Sequence, residues 1–279
     1  VWASRGVQAD GNTLIGWAAM PVDTYTDGPT SGHFARSQFG HTLPIENRQA
    51  VQGFSGVIAG PASGTYYVTM DNGFGAKSNS ADSLLRVYAI RPEFRTAAGG
   101  PATVTPVDFR RGTPLPSFTA ASYITLRDPD HKLGLPIVAD ADSYPGTPAG
   151  IPVAPEIRRD RLLTGADLDP ESLRKDRDGH FWFGDEFGPF FVETDASGRV
   201  LQAARPLPGV FAPENPFRKV VSSEPSELSR AIRLLPTGPT AVKLPPAKIF
   251  PSDWSDNAST FPFMPSVLNP GSGEPGGWL

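Results

Sequence analysis

Proline and glycine punctuate this chain so densely that few stretches remain in which a long helix could propagate. Of 279 residues, 31 are Pro and 29 are Gly; Pro lacks the N–H a helix needs, and Gly loses too much backbone freedom when held in one. Between these breaks lie short runs of aromatic and β-branched residues, and the chain carries 17 Phe, 6 Tyr and 5 Trp. Such residues suit strands on a packed surface. A chain of this length can bury roughly 70–75% of its unfolded surface, enough for one large all-β domain or two ordinary ones.

Reading for period, Gly64-Thr65-Tyr66-Tyr67-Val68-Thr69-Met70 is a strand closed by the turn Asp71-Asn72-Gly73. Leu84–Ile90 is a second strand, stopped by Pro92, and the two read as antiparallel neighbours. The same grammar returns later. Asp178-Gly179 turns into Phe181-Trp182-Phe183, which ends in Gly184-Asp185-Glu186; Phe190–Thr194 follows, and Asp195–Gly198 turns into Arg199-Val200-Leu201. An aromatic pair leading to an acidic strand end therefore occurs twice, with Asp71 and Asp185 114 residues apart. That offset equals two to three propeller blades of roughly 40–50 residues.

Helical signals are short. Pro170–Arg174 could form one turn with Asp169 as its N-cap, Ser226–Arg233 two turns, and Ala81–Ser83 a turn before its strand. From about Arg218 the chain becomes rich in Pro and Gly without strand alternation, as in Leu244-Pro245-Pro246 and Asn269–Gly277. The expected organisation is a β domain over residues 1–217 and a loop-like tail over 218–279.

Charge and composition exclude several function classes. The formal net charge is −4, and Arg110-Arg111 and Arg158-Arg159 are pairs, not tracts, so a nucleic-acid partner is not expected. With no Cys there is neither a disulfide nor a thiolate metal site, although this leaves the compartment open. No run of about 18 apolar residues is present, and Val1–Arg5 does not open a signal peptide, so a soluble chain is expected. A start without Met suits a processed or truncated product.

Common catalytic signatures are missing too. Gly53-Phe54-Ser55-Gly56 falls one residue short of a nucleophile elbow. The four histidines, His33, His41, His131 and His180, form no zinc motif, and neither a P-loop nor a dinucleotide fingerprint occurs. Oxygen chemistry remains. Asp167, Asp169 and Glu171 alternate along the chain, and in extended backbone alternate side chains share a face, where three negative charges call for a cation or donors. Calcium takes six to eight such oxygens, although the segment is not an EF-hand loop. Asp71-Asn72 and Asp185-Glu186 add oxygens at strand ends. Plainer readings stand beside these: a helix N-terminus for the alternating trio, simple turns for the two strand ends, and core packing for Phe181 and Trp182.

Five strings, Gly28–Gly32, Glu46–Gly56, Asp71–Lys77, Thr164–Ser172 and Gly184–Phe190, resemble the phytase-like family, which is described by esterase-like activity and is distantly similar to calcium-dependent alkaline phytases. The resemblance runs from about residue 10 to 217. It implies an all-β fold of propeller-like antiparallel blades, and metal-assisted hydrolysis of a small-molecule ester, phosphate esters included. On that reading Glu171, Asp185 and Glu186 are catalytic, Asp71, Asp169, Glu171 and Asp185 hold a metal, expected to be Ca2+, and Lys77 and Arg86 meet the substrate anion. An extracellular or periplasmic location is implied as well. The alternatives are a non-catalytic, calcium-stabilised propeller that binds a partner, and a calcium-dependent lactonase. The family leads one to expect a Gly-Phe-Glu-Gly-like segment after Pro213–Phe217, which the tail lacks, so the propeller is expected to be incomplete at its C-terminal end.

Overall fold

The computed structural model describes residues 14–36, 42–145 and 150–207. The tail from 218 to 279, the Ser226–Arg233 helix expected within it, and His41 lie outside the described residues. The described chain contains thirteen short strands: β1 Gly16–Trp17, β2 Tyr25–Asp27, β3 Arg48–Ala50, β4 Phe54–Ala59, β5 Tyr66–Met70, β6 Arg86–Glu93, β7 Arg95–Thr96, β8 Thr103–Pro106, β9 Tyr123–Thr125, β10 Pro170–Lys175, β11 Phe181–Asp185, β12 Phe190–Thr194 and β13 Arg205–Pro206. One α-helix, α1 Pro155–Asp160, begins at a proline, the position where a missing N–H is harmless.

Every named strand pair is antiparallel. The larger sheet runs β4-β5-β6-β8, with β9 pairing on another stretch of β6; the second runs β10-β11-β12-β13; β1-β7 and β2-β3 are two-stranded. Among the described residues no sheet closes on itself. The antiparallel all-β expectation therefore holds, and a propeller goes beyond what the sheets show.

Two corrections concern proline. Pro170–Arg174 is strand, not helix: β10 pairs with β11 from Pro170↔Asp185 to Lys175↔Phe181. Pairing with partners 6 to 15 residues further along the chain outweighs the local capping signal. Pro92 does not stop β6 either, because it pairs with Val104. The register with β5 ends at Tyr66↔Ile90, so Pro92 lies where β6 has lost one neighbour, the edge position that tolerates a missing N–H.

The two large sheets share a core. Tyr67, Val87 and Ala89 from the first pack with Leu173, Phe181, Phe183 and Val192 from the second. The other face of β5 and β6 carries Val68, Met70, Tyr88 and Ile90, packed with Val51 in a separate core. A strand covered on both faces is buried along its whole length, as β6 is from Arg86 to Ile90. The sheets meet where Gly56 of β4 faces Leu173 of β10; a Cβ on Gly56 would lie 2.9 Å from the Leu173 backbone nitrogen. Only glycine permits that approach.

Candidate functional site

Three strand ends converge because of this packing. Pairing of Pro170 with Asp185 sets the start of β10 beside the end of β11. Pairing of Phe54 with Met70 brings the end of β5 to the start of β4, and β4 abuts β10 through Gly56. Asp71-Asn72, Asp169–Glu171 and Asp185-Glu186 are thus neighbours, although Asn72 and Asp169 stand 97 residues apart in sequence.

Hydrogen bonds interlock the buried members. Both Asp169 carboxylate oxygens accept from Asn72, from its backbone N–H at 2.9 Å and its side-chain Nδ2 at 2.6 Å. The Asp169 N–H donates to Asp185 Oδ1 at 2.6 Å, and the Gly188 N–H donates to Asp185 Oδ2 at 2.8 Å. The Glu186 N–H in turn reaches the Asp169 carbonyl. Asp71 Oδ1 accepts from the Gly73 N–H at 2.7 Å. Beneath it Gly53 adopts φ +63°, and a Cβ there would sit 2.4 Å from Asp71 Oδ1. The glycine is therefore required both for its left-handed backbone and for the room it leaves the carboxylate.

Glu171 owes its position to an irregularity. The register of β10 on β11 slips between Pro170 and Ser172, and that of β4 on β5 slips between Phe54 and Gly56. Glu171 and Ser55 are the extra residues of two β-bulges on neighbouring strands, and their side chains hydrogen-bond to each other. Bulges re-aim side chains in this way beside functional sites. Ser55 is the residue that motif searching missed, since it is placed by a bulge and not by an elbow.

The electrostatics follow from crowding. Burial pushes Asp71 up to about 7; the Gly73 N–H opposes the rise, and the charges of Asp169 and Glu186 add to it. Glu171 rises to about 8, through burial first and then through Asp169, Glu186 and Asp71, against the Ser55 hydroxyl. Glu171 is exposed as a residue, so solvent screening tempers that rise more than it does for the half-buried Asp71. Asp185 rises to about 6 through burial, opposed by the N–H groups of Asp169 and Gly188. Four carboxyl groups, Asp71, Asp169, Glu171 and Glu186, act on one another as like charges. The donor set is entirely hard oxygen, the set calcium prefers.

The other expected residues separate. Lys77 lies at the rim, its Nζ 5.0 Å from the centre of the Phe187 ring and close enough to Asp167 to favour that carboxylate. Arg86 is buried elsewhere: it donates to Thr125 Oγ1 and the Asp27 carbonyl and stacks on Tyr123. Asp167 does not share a face with Asp169 and Glu171, because it sits in a turn and accepts from the N–H groups of Val138 and Thr164. A further group went unnoticed in the sequence. Asp176, His180 and Glu193 bring three ligand-type atoms within 4.8 Å of one another at the far end of the second sheet, whereas the strand-end acids stand further apart. Nδ1 of His180 lies 2.9 Å from Glu193 Oε1, and Asp176 accepts from Trp182 Nε1, so these groups already clasp the hairpin.

Residues 49–230 match the family model described as phytase-like, esterase-like activity of phytase. The chain belongs to the phytase-like family. A relative from Arthroderma benhamiae, described as an uncharacterized secreted protein, is 30% identical over 216 residues, covering 72% of this chain and 38% of the relative. The phytase-like chain thus spans well under half the length of that protein. No solved structure matches it. All three strand ends of the acidic cluster fall within the matched segment, and among the described residues no helix is long and apolar enough to cross a membrane.

Proposed function

We propose that this phytase-like chain hydrolyses ester bonds of small molecules, phosphate esters among them, at the Asp71, Glu171 and Glu186 face of the cluster, with a divalent cation such as Ca2+. The observation that carries the reading is the convergence of four mutually repelling carboxyl groups from three strand ends, one of them set by a bulge. Asp71, Asp169, Glu171 and Asp185 would hold the cation; when bound, it would offset their charge, polarise a phosphoryl or carbonyl oxygen and acidify water. Asp169 and Asp185 are fixed by Asn72 and by backbone N–H groups, so they form the frame. Glu171 and Glu186 are exposed and can reach substrate, while Lys77 at the rim can meet its anionic group. Arg86 has no part in this reading. The secreted relative supports a location outside the cell.

The test is turnover of p-nitrophenyl phosphate and p-nitrophenyl acetate by the full chain with added Ca2+ or with chelator, for wild type and Glu171→Gln. We expect calcium-dependent turnover that falls roughly 100-fold or more in the variant, the scale of losing a positioned acid or base. Full activity in Glu171→Gln would overturn the site. Calcium binding without turnover of either ester would instead favour a non-catalytic binding module, the reading that the extensive backbone locking of Asp185 supports.

A further inference from the structure

Asp176, His180 and Glu193 gather at the opposite end of β11 from the acidic cluster, and the pleat of the sheet puts them together. Phe181 and Phe183 point into the shared core, so His180 and Trp182 point to the other face. Glu193 pairs with Trp182 across the β11-β12 ladder and joins them there. Asp176 closes the hairpin turn on His180. Its backbone N–H donates to the His180 carbonyl at 3.0 Å, and its Oδ1 accepts from the N–H groups of Asp178 and His180 at 3.0 and 2.9 Å.

Nδ1 of His180 stands 2.9 Å from Glu193 Oε1 and 3.8 Å from Asp176 Oδ2, and the three ligand-type atoms lie within 4.8 Å of one another. A metal about 2.1 Å from each ligand in a tetrahedron spaces its ligands about 3.4 Å apart, so both separations from Nδ1 need to change by only about 0.5 Å. The outer atoms are already oriented. Glu193 Oε2 accepts from Gln202 Nε2, Gln202 is held in turn by Arg205, and Trp182 Nε1 donates to Asp176 Oδ2 at 3.0 Å. Outer partners of this kind fix the carboxylates that bind metals. Charge points the same way: among the described residues neither carboxylate is paired with a Lys or Arg, so one imidazole faces two acids.

We propose that Asp176, His180 and Glu193 form a site for a divalent transition metal of the Zn2+ class, which pins the β10-β11 hairpin to β12. The imidazole sets the class of ion: a nitrogen ligand suits Zn2+, whereas Ca2+ and Mg2+ favour oxygen alone. On binding, the metal takes the place of the proton between His180 Nδ1 and Glu193 Oε1, and that proton passes to Nε2 or to water. The His180 side chain is 33% exposed against 19% for Asp176 and 13% for Glu193, so water reaches the open side and supplies the fourth ligand. No donor is shared with Asp71, Asp169, Glu171 or Asp185, and the site is independent of the ester-hydrolysis reading.

The experiment is a calorimetric Zn2+ titration of the full chain, stripped of metal with chelator and then held in saturating Ca2+ so that the acidic cluster does not compete. We expect saturable Zn2+ binding in wild type and its loss in His180→Gln, a variant that keeps an N–H donor for Glu193 and therefore keeps the hairpin clasped. Gln202→Ala frees Glu193 Oε2 without touching a ligand and should weaken Zn2+ binding roughly 10–100-fold. Glu171→Gln should leave the titration unchanged, so failure of this site and failure of the ester site read out separately. Crystals soaked in Zn2+ should show anomalous density bonded to His180 Nδ1. No Zn2+ binding in wild type, undiminished binding in His180→Gln, unchanged affinity in Gln202→Ala, or density away from Nδ1 would each overturn the proposal.

Discussion

Replacing Gly56 by Ala tests whether the approach of the two large sheets builds the acidic cluster. The new Cβ would lie 2.8 Å from Thr69 Cγ2, 2.9 Å from Leu173 N and 3.0 Å from Leu173 Cβ. Thr69 is β-branched and buried, and the Leu173 nitrogen belongs to the ladder with Phe183, so neither can swing aside. Since ordinary contact begins at 3.4 Å, β4 and β10 must part by about 0.5 Å. Overpacking of this kind costs about 1–3 kcal/mol, and for a domain near 200 residues each kcal/mol lowers Tm by about 2–4 °C. The expected loss is therefore about 2–12 °C by calorimetry or circular dichroism. The same displacement separates Ser55 from Glu171, so ester turnover, where present, should fall by more than the loss of folded protein explains. A Tm equal to that of wild type would refute the close-approach reasoning, because no side chain there can absorb the methyl.

Two other outcomes follow from the buried carboxyl groups. Asp71 and Glu171 have folded pKa values of about 7 and about 8 against ordinary values of 3.8 and 4.5, so the folded state binds more protons between roughly pH 4 and 8, and stability must fall as pH rises through that window. Carboxylates with lowered pKa, such as Asp140 and Asp195, act in the opposite sense but below it. In chelator, Asp71→Asn should flatten the decline seen by urea denaturation at successive pH values; equal slopes in variant and wild type would contradict the burial of Asp71. Asp185→Ala strips the Asp169 and Gly188 N–H groups of their acceptor, and at about 1–3 kcal/mol for each unsatisfied buried donor it should cost about 2–6 kcal/mol in urea unfolding. A loss below about 1 kcal/mol would mean that these amides find other partners.

The local grammar of the chain was legible where neighbours in sequence decide it. The Tyr66–Met70 and Phe181–Asp185 strands, the Asp178-Gly179 hairpin turn and the acidic strand ends all follow from residue type and period. Recurrence of the aromatic and acidic pattern marked Asp71 and Asp185 as related, and both reach the same site through Asp169. Long-range packing hid the rest. The order Asp169-Pro170-Glu171 satisfies the rules for a helix start, and only pairing with β11 makes it a bulged strand. Arg86 reads as an exposed cation until the β2-β3 ribbon covers it. His180 looks solitary because its partner Glu193 lies on the next strand but one, and Asp167 turns away because Val138, 29 residues earlier, supplies a donor.

The paired bulges have a consequence for how such a protein can change. A bulge residue is supernumerary to the ladder: the strand keeps its pairing whatever that side chain is, because no partner stands opposite it. Glu171 and Ser55 can therefore be exchanged with little penalty to the sheets, so this part of the site can be altered without rebuilding the scaffold. Deleting either residue is another matter, since a one-residue slip would send alternate side chains of β10 or β4 to the wrong face. Relatives of this chain should vary in which residue occupies these two positions far more readily than in whether the positions exist.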